Sequence, residues 1–162
     1  MPEAASMPAV GEQAPDFTLH STPDQTLSLS QLRGHPVVLA FYPADWSPVC
    51  GDQMALYNEL LSEFRRFHAT VIGISADDID TLSKFSVKSC QSRFPVASDE
   101  SKTVINGFDA LMQTRPDFAN RLSYVIAPNG TVAYYYQNLN PDKHVERMLN
   151  AVRALPRPGS PK

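Results

Sequence analysis

Cysteine is nearly missing from this chain: there are two in 162 residues, Cys50 and Cys90. Two thiols do not make the cross-linked scaffold of a small secreted domain, so either they are core fillers or they do chemistry. No apolar run approaches the length of a membrane span, which excludes a spanning helix. The opening stretch "MPEAASMPAVGEQAPDF" lacks the basic-then-apolar order of a secretory leader. A soluble, cytoplasmic protein is expected. Lysine and arginine form no stripe and the formal charge is −3, which leaves no footprint for nucleic acid. His20, His35, His68 and His144 are far apart and lack metal spacing, so surface or capping roles are expected of them and no metal. No haem, flavin or metal motif is visible, and no cofactor is expected. There is no internal repeat and no linker.

The remainder is ordinary globular material, with 43% hydrophobic and 19% charged residues, enough for one domain with a real core. The first dozen residues and the tail "LPRPGSPK" are rich in proline and small side chains and look loose, with 1–8 and 156–162 expected to be flexible. The domain is placed at 9–155. Within it, "HPVVLAFY" is a continuous apolar, β-branched run, as a strand covered on both faces requires. After Cys50 the period changes. Met54, Tyr57, Leu61 and Phe64 recur at helical spacing. "TVIGIS" and "FPVAS" read as further strands, "DDIDTLSKFSVKSC" and "DESKTVINGF" as helices, the first opened by acids. "RLSYVIAPNGTVAYYYQ" reads as two strands turned at Asn129-Gly130, with Tyr134 and Tyr136 on one face and Tyr135 on the other. "NPDKHVERMLNAVRAL" is a closing helix with Pro141 in its first turn. Alternating strands and helices followed by a hairpin and a helix give an α/β fold: a mixed central sheet flanked by helices. This arrangement resembles the thioredoxin fold.

The stretch "FYPADWSPVC" carries the chemistry. Pro43 and Pro48 restrict the backbone and remove two donors. Cys50 then falls in the first turn of the expected helix, where free amides and the positive end of the helix dipole favour an anion. A thiolate is such an anion, so its pKa should fall below the free value of about 8.5. An inert buried cysteine is the plainer alternative. Ser47, three residues earlier, can reach the sulfur or an atom bound to it, or can simply cap the helix.

Pro43, Ser47 and Cys50 match the peroxiredoxin signature of proline, three residues, Thr or Ser, two residues, cysteine. The chain resembles that family from about Ala9 to about Leu155. Gln53 falls where the family carries a polar residue of its active-site network. "RLSYVIAPNGTV" is similar to its arginine-led strand and hairpin, which puts the active-site arginine at Arg121. A strand-start arginine is otherwise most often a surface ion-pair residue. Ser47 stands where threonine is commoner and Trp46 where phenylalanine is usual; serine keeps the hydroxyl. Thioredoxins use C-x-x-C at this junction, but the first of those positions here is Ser47, which excludes a local dithiol reductase.

The resemblance implies a thiol peroxidase acting on hydrogen peroxide and organic hydroperoxides. Cys50 is its nucleophile, Arg121, Ser47 and the Cys50 amide are its donors, and Pro43 is a shield. In pattern it resembles the bacterioferritin-comigratory or Q type, a branch that keeps a resolving cysteine in a later helix. By that resemblance Cys90 resolves the Cys50 sulfenic acid as an intramolecular disulfide, and thioredoxin or a similar dithiol protein is the reductant. A monomer or weak dimer is expected. A one-cysteine peroxidase served by an outside thiol and a non-enzymatic redox relay remain alternatives.

Overall fold

A computed structural model of the chain describes residues 10–21, 25–42, 56–57, 59–76, 81, 96–99, 102–108, 110, 121–137 and 143–155. The strands are β1 (Thr18–Ser21), β2 (Gln25–Ser28), β3 (Val37–Phe41), β4 (Thr70–Ser75), β5 (Val96–Ser98), β6 (Leu122–Ile126) and β7 (Val132–Gln137). The helices are α1 (Leu61–Arg66), α2 (Thr103–Gly107) and α3 (His144–Ala154), and one short 3-10 turn spans Leu29–Leu32. The strands form one mixed sheet in the order β2-β1-β5-β4-β3-β6-β7. β3 is parallel to β4 and antiparallel to β6, and β4 is parallel to β5. This is a thioredoxin-like arrangement.

β3 shows why the sheet has this layout. All five of its side chains are buried. Val38 and Ala40 pack with Val71, Val125, Tyr57, Leu61, Phe64, Met148 and Val152 on the face covered by α1 and α3. Val37, Leu39 and Phe41 face the opposite way, among Ile72, Ile74, Leu122, Tyr124, Ile105 and Phe108. A strand with a core on each side has no use for polar residues, hence the unbroken apolar run. Each valine, leucine and phenylalanine of β3 contributes about 1.5–3 kcal/mol through burial. Tyr124 adds a directional contact, since its hydroxyl donates to the Phe108 carbonyl at 2.8 Å.

The turn between β6 and β7 uses Asn129 and Gly130 differently from a two-residue hairpin with both in the left-handed region. Only Gly130 has positive φ, at 90°. Its amide donates to the Ala127 carbonyl at 2.8 Å, and the Ala127 amide donates to the Thr131 carbonyl at 2.8 Å. Asn129 Oδ1 accepts from the Thr131 amide and hydroxyl at 3.1 and 2.7 Å. This is a three-residue turn closed by a left-handed glycine. A Cβ at Gly130 would also collide with Gln13 Nε2 and lie 3.1 Å from Arg33 Nε. Beyond the turn, Val125 pairs with Tyr134 but Ile126 with Val132, so Ala133 is an extra residue in β7. Tyr134 and Tyr136 pack on the α3 side and Tyr135 is exposed, the alternation expected of them.

Two parts of the chain depart from expectation. β1 and β2 add a four-residue antiparallel pair that the composition did not announce. Residues 11–14, inside the placed domain but in a loose-looking stretch, run beside the β6–β7 hairpin: the Gly11 amide donates to the Val132 carbonyl at 2.8 Å, and the Ala14 amide to that of Gly130 at 2.9 Å. Pro141 and the expected helix after Asp77 lie outside the described residues, apart from Thr81.

Asp16 ties this N-terminal stretch down. Its Oδ1 accepts from the amides of Ser30 and Phe17, both at 2.9 Å. The Ser30 amide is the main reason that its carboxyl is held below the usual carboxylate range. Because the folded value lies below the unfolded one, this contribution to stability is complete above about pH 4 and is lost as pH falls through the lowered value. Asp16→Ala should therefore be destabilised most at neutral pH. In urea melts the gap to wild type should stay constant down to about pH 5 and narrow as the pH falls below about 4.

Candidate active site

The carboxyl ends of β3, β4 and β5 meet at one end of the sheet. Phe41 pairs with Ile74, and Ile74 with Ala97. β6 runs the other way, so its first residue, Leu122, also lies opposite Phe41. Arg121, directly before Leu122, is therefore carried to the carboxyl end of β3. In open α/β sheets this is the end at which ligands bind.

The described residues here are tightly held. Tyr42 is fully buried, and its amide donates to the Ile74 carbonyl at 3.1 Å. Asp99 is 1% exposed; its Oδ2 accepts from the Ile105 amide at 2.7 Å and its own amide donates to the Ser75 carbonyl at 2.9 Å. Arg121 is 3% exposed and is engaged within the fold. This is not the exposed ion-pair residue that a strand-start arginine most often is. A guanidinium withdrawn from water this far is unfavourable unless its donors are used. What it brings is a permanent positive charge with donors in a rigid fork, suited to an anion or to charge developing on oxygen.

Pro43, Ser47, Cys50, Gln53 and Cys90 lie outside the described residues. Their places along the chain are nonetheless telling. Pro43 follows Tyr42 at the end of β3, and Cys90 belongs to the connection from β4 to β5, β4 being β3's parallel neighbour. Helical structure is present at Leu56 and Tyr57, where the Leu60 amide donates to the Leu56 carbonyl at 3.1 Å, and it leads into α1. Tyr57, Leu61 and Phe64 are buried, as their spacing requires; Met54, expected on the same face, lies outside the described residues.

One histidine corrects its reading. His20, His35 and His68 are exposed, but His144 is fully buried. Its Nδ1 lies 3.0 Å from Ser123 Oγ, and Ser123 Oγ lies 3.5 Å from the Tyr57 hydroxyl. The signal was there: His144, Met148 and Val152 share one helical stripe, and the other two are plainly core residues. Tyr136 sets its ring against that of His144, with centroids 4.8 Å apart, and Arg147 lies 4.5 Å over the Tyr136 ring. Among the described residues no three His, Cys, Asp or Glu side chains gather as a metal-binding group, and no helix is long and apolar enough to cross a membrane.

Comparison with known proteins gives this geometry a context. The model of the AhpC/TSA family matches residues 10–135. A chloroplastic peroxiredoxin Q of Oryza sativa subsp. japonica is 35% identical over 146 residues, which are 90% of this chain and 67% of the relative. The crystal structure of the peroxidoxin BcpB from Mycobacterium tuberculosis superposes with a TM-score of 0.84 at 28% identity, over 93% of this chain and 99% of that one. A structure of Xanthomonas campestris peroxiredoxin Q gives 0.78 at 26% identity, over 85% and 90%.

Proposed function

The chain belongs to the AhpC/TSA family, as a Q-type peroxiredoxin and hence a thiol peroxidase, and from that premise we propose that Cys50 is its peroxidatic thiol and Arg121 the cation that activates it. The observation that carries this assignment is the burial of Arg121 at the carboxyl end of β3, where the segment holding Cys50 begins. The Cys50 thiolate attacks one oxygen of hydrogen peroxide or an organic hydroperoxide. The O–O bond breaks, and its electron pair leaves with the second oxygen. That oxygen takes up a proton and departs as water or an alcohol, leaving Cys50 as a sulfenic acid. Arg121 stabilises first the thiolate and then the charge growing on the departing oxygen. The Cys50 amide and the Ser47 hydroxyl add donors, Gln53 extends the polar network, and Pro43 keeps water from the sulfur.

Cys90 then resolves the sulfenic acid. Its thiol attacks the Cys50 sulfur, water leaves, and a Cys50–Cys90 disulfide forms. A thioredoxin-type dithiol supplies the two electrons that reopen it. The placement of the two cysteines in the connections that follow neighbouring parallel strands supports the pairing. The setting proposed is the cytoplasm, in keeping with the scarcity of cysteine, with the protein a monomer or weak dimer.

Cys90→Ser tests the resolution step. Under thioredoxin and its reductase, turnover should fall at least about tenfold, while the first oxidation of Cys50 proceeds at the wild-type rate. Peptide mass spectrometry after one equivalent of peroxide should find the Cys50–Cys90 disulfide in wild type. A Cys50 sulfenic acid with Cys90 still free would instead establish a one-cysteine cycle. Slow peroxide turnover beside rapid disulfide transfer to another protein would establish a relay.

A further inference from the structure

We propose that Ser123 and His144, with Tyr57 resting on them, are positioning residues for the peroxide site: they fix the Arg121 end of β6 against the helical segment that follows Cys50. This rests on the assignment of Cys50 and Arg121 made above. The three residues come from three elements. Ser123 is two residues beyond Arg121 in β6, Tyr57 is seven beyond Cys50, and His144 opens α3.

All three are fully buried, and Tyr57 packs in the core with Leu61, Phe64, Val125, Val145 and Met148. Polar groups in such surroundings are unfavourable unless paired, and apolar residues of the same shape would serve stability equally well. What apolar packing does not supply is direction. It sets the spacing of strand and helix, whereas a hydrogen bond also sets their rotation and register. The Ser123–His144 contact, at 3.0 Å, is the firm link; the Tyr57 contact, at 3.5 Å, is long and acts as a stop. One donor order satisfies the run: Ser123 Oγ donates to a neutral imidazole at Nδ1 and accepts from the Tyr57 hydroxyl. From β7, Tyr136 meets the His144 ring edge to face, and Arg147 lies over the Tyr136 ring. A guanidinium has to meet the thiolate and peroxide within a narrow geometry, and small displacements transmitted from outside the chemistry reduce rates steeply.

The test uses the full chain and two readouts: the second-order rate constant with hydrogen peroxide, and the pH midpoint of alkylation at the Cys50 peptide. His144→Leu keeps volume and loses the bond. Its rate should fall about tenfold or more, with the thiol midpoint moved up. His144→Asn places an amide near the Nδ1 position and should recover most of both. Tyr57→Phe, which loses only a hydroxyl, should fall between. A folded His144→Leu protein with wild-type rate and midpoint overturns the proposal, as does His144→Asn behaving no better than leucine. Should His144→Leu not fold, Tyr57→Phe decides alone, and unchanged values overturn it. Were wild type inert to peroxide, the peroxidase assignment would fall, while the thiol midpoints would still decide whether these residues position the site.

Discussion

Replacing Cys50 by serine is expected to abolish peroxide consumption, by at least about a thousandfold, with thioredoxin or with a small dithiol as reductant. The hydroxyl has nearly the shape of the thiol but stays protonated at neutral pH, and oxygen does not share the ease with which sulfur accepts oxidation. No other thiol should take over. Cys90 belongs to the β4–β5 connection and lacks the proline-and-hydroxyl setting that precedes Cys50 in sequence. The measurement is the initial rate of peroxide loss, with circular dichroism confirming that the variant is folded. Retention of more than a few per cent of the wild-type rate would move the nucleophile away from Cys50.

Arg121→Leu should have the second-largest effect, a loss of about a hundredfold to a thousandfold, the range typical of removing one donor aimed at developing charge. Two contributions add. The thiolate loses its cation, so the Cys50 pKa climbs back toward about 8.5 and less of the nucleophile is present at pH 7. The departing oxygen then loses a donor in the transition state. Raising the pH repairs only the first, so a deficit should persist at about pH 9.5, where the thiol is ionised in both proteins. Arg121→Lys separates charge from shape: lysine keeps the charge without the rigid fork, and an intermediate rate is expected. Since Arg121 is buried, both variants should also be less stable, and the rates must be compared per folded molecule.

How much of this was legible in advance depended on the range of the signal. β3 and β4 were legible because a strand with a core on each face is written as an apolar run, and Val37–Phe41 and residues 71–74 are such runs. β1 was not: four residues at the side of the sheet, with Leu19 and Ser21 turned inward, leave too short a pattern. Cys50 announced itself because proline, hydroxyl and thiol sit within eight residues of one another in sequence. Arg121 was placed by resemblance; what the fold adds is its position at the carboxyl end of β3, because the β3–β6 register brings Leu122 opposite Phe41. The Tyr57–Ser123–His144 run was invisible because its members are 66 and 21 residues apart, and sequence spacing says nothing about contacts made across three elements. His144 was misread for a related reason. A histidine in a charged stretch, "DKHVER", looks like surface until the helix that follows is drawn as a stripe.

The proposed chemistry requires Cys50 to be ionised when peroxide arrives. Following the rate of iodoacetamide modification at the Cys50 peptide across pH in the reduced wild-type protein measures this without any enzyme assay. A midpoint at least one pH unit below the free-thiol value of about 8.5 is predicted, with modification at neutral pH several-fold faster than that of free cysteine. A midpoint near about 8.5, with the reactivity of free cysteine, would contradict it.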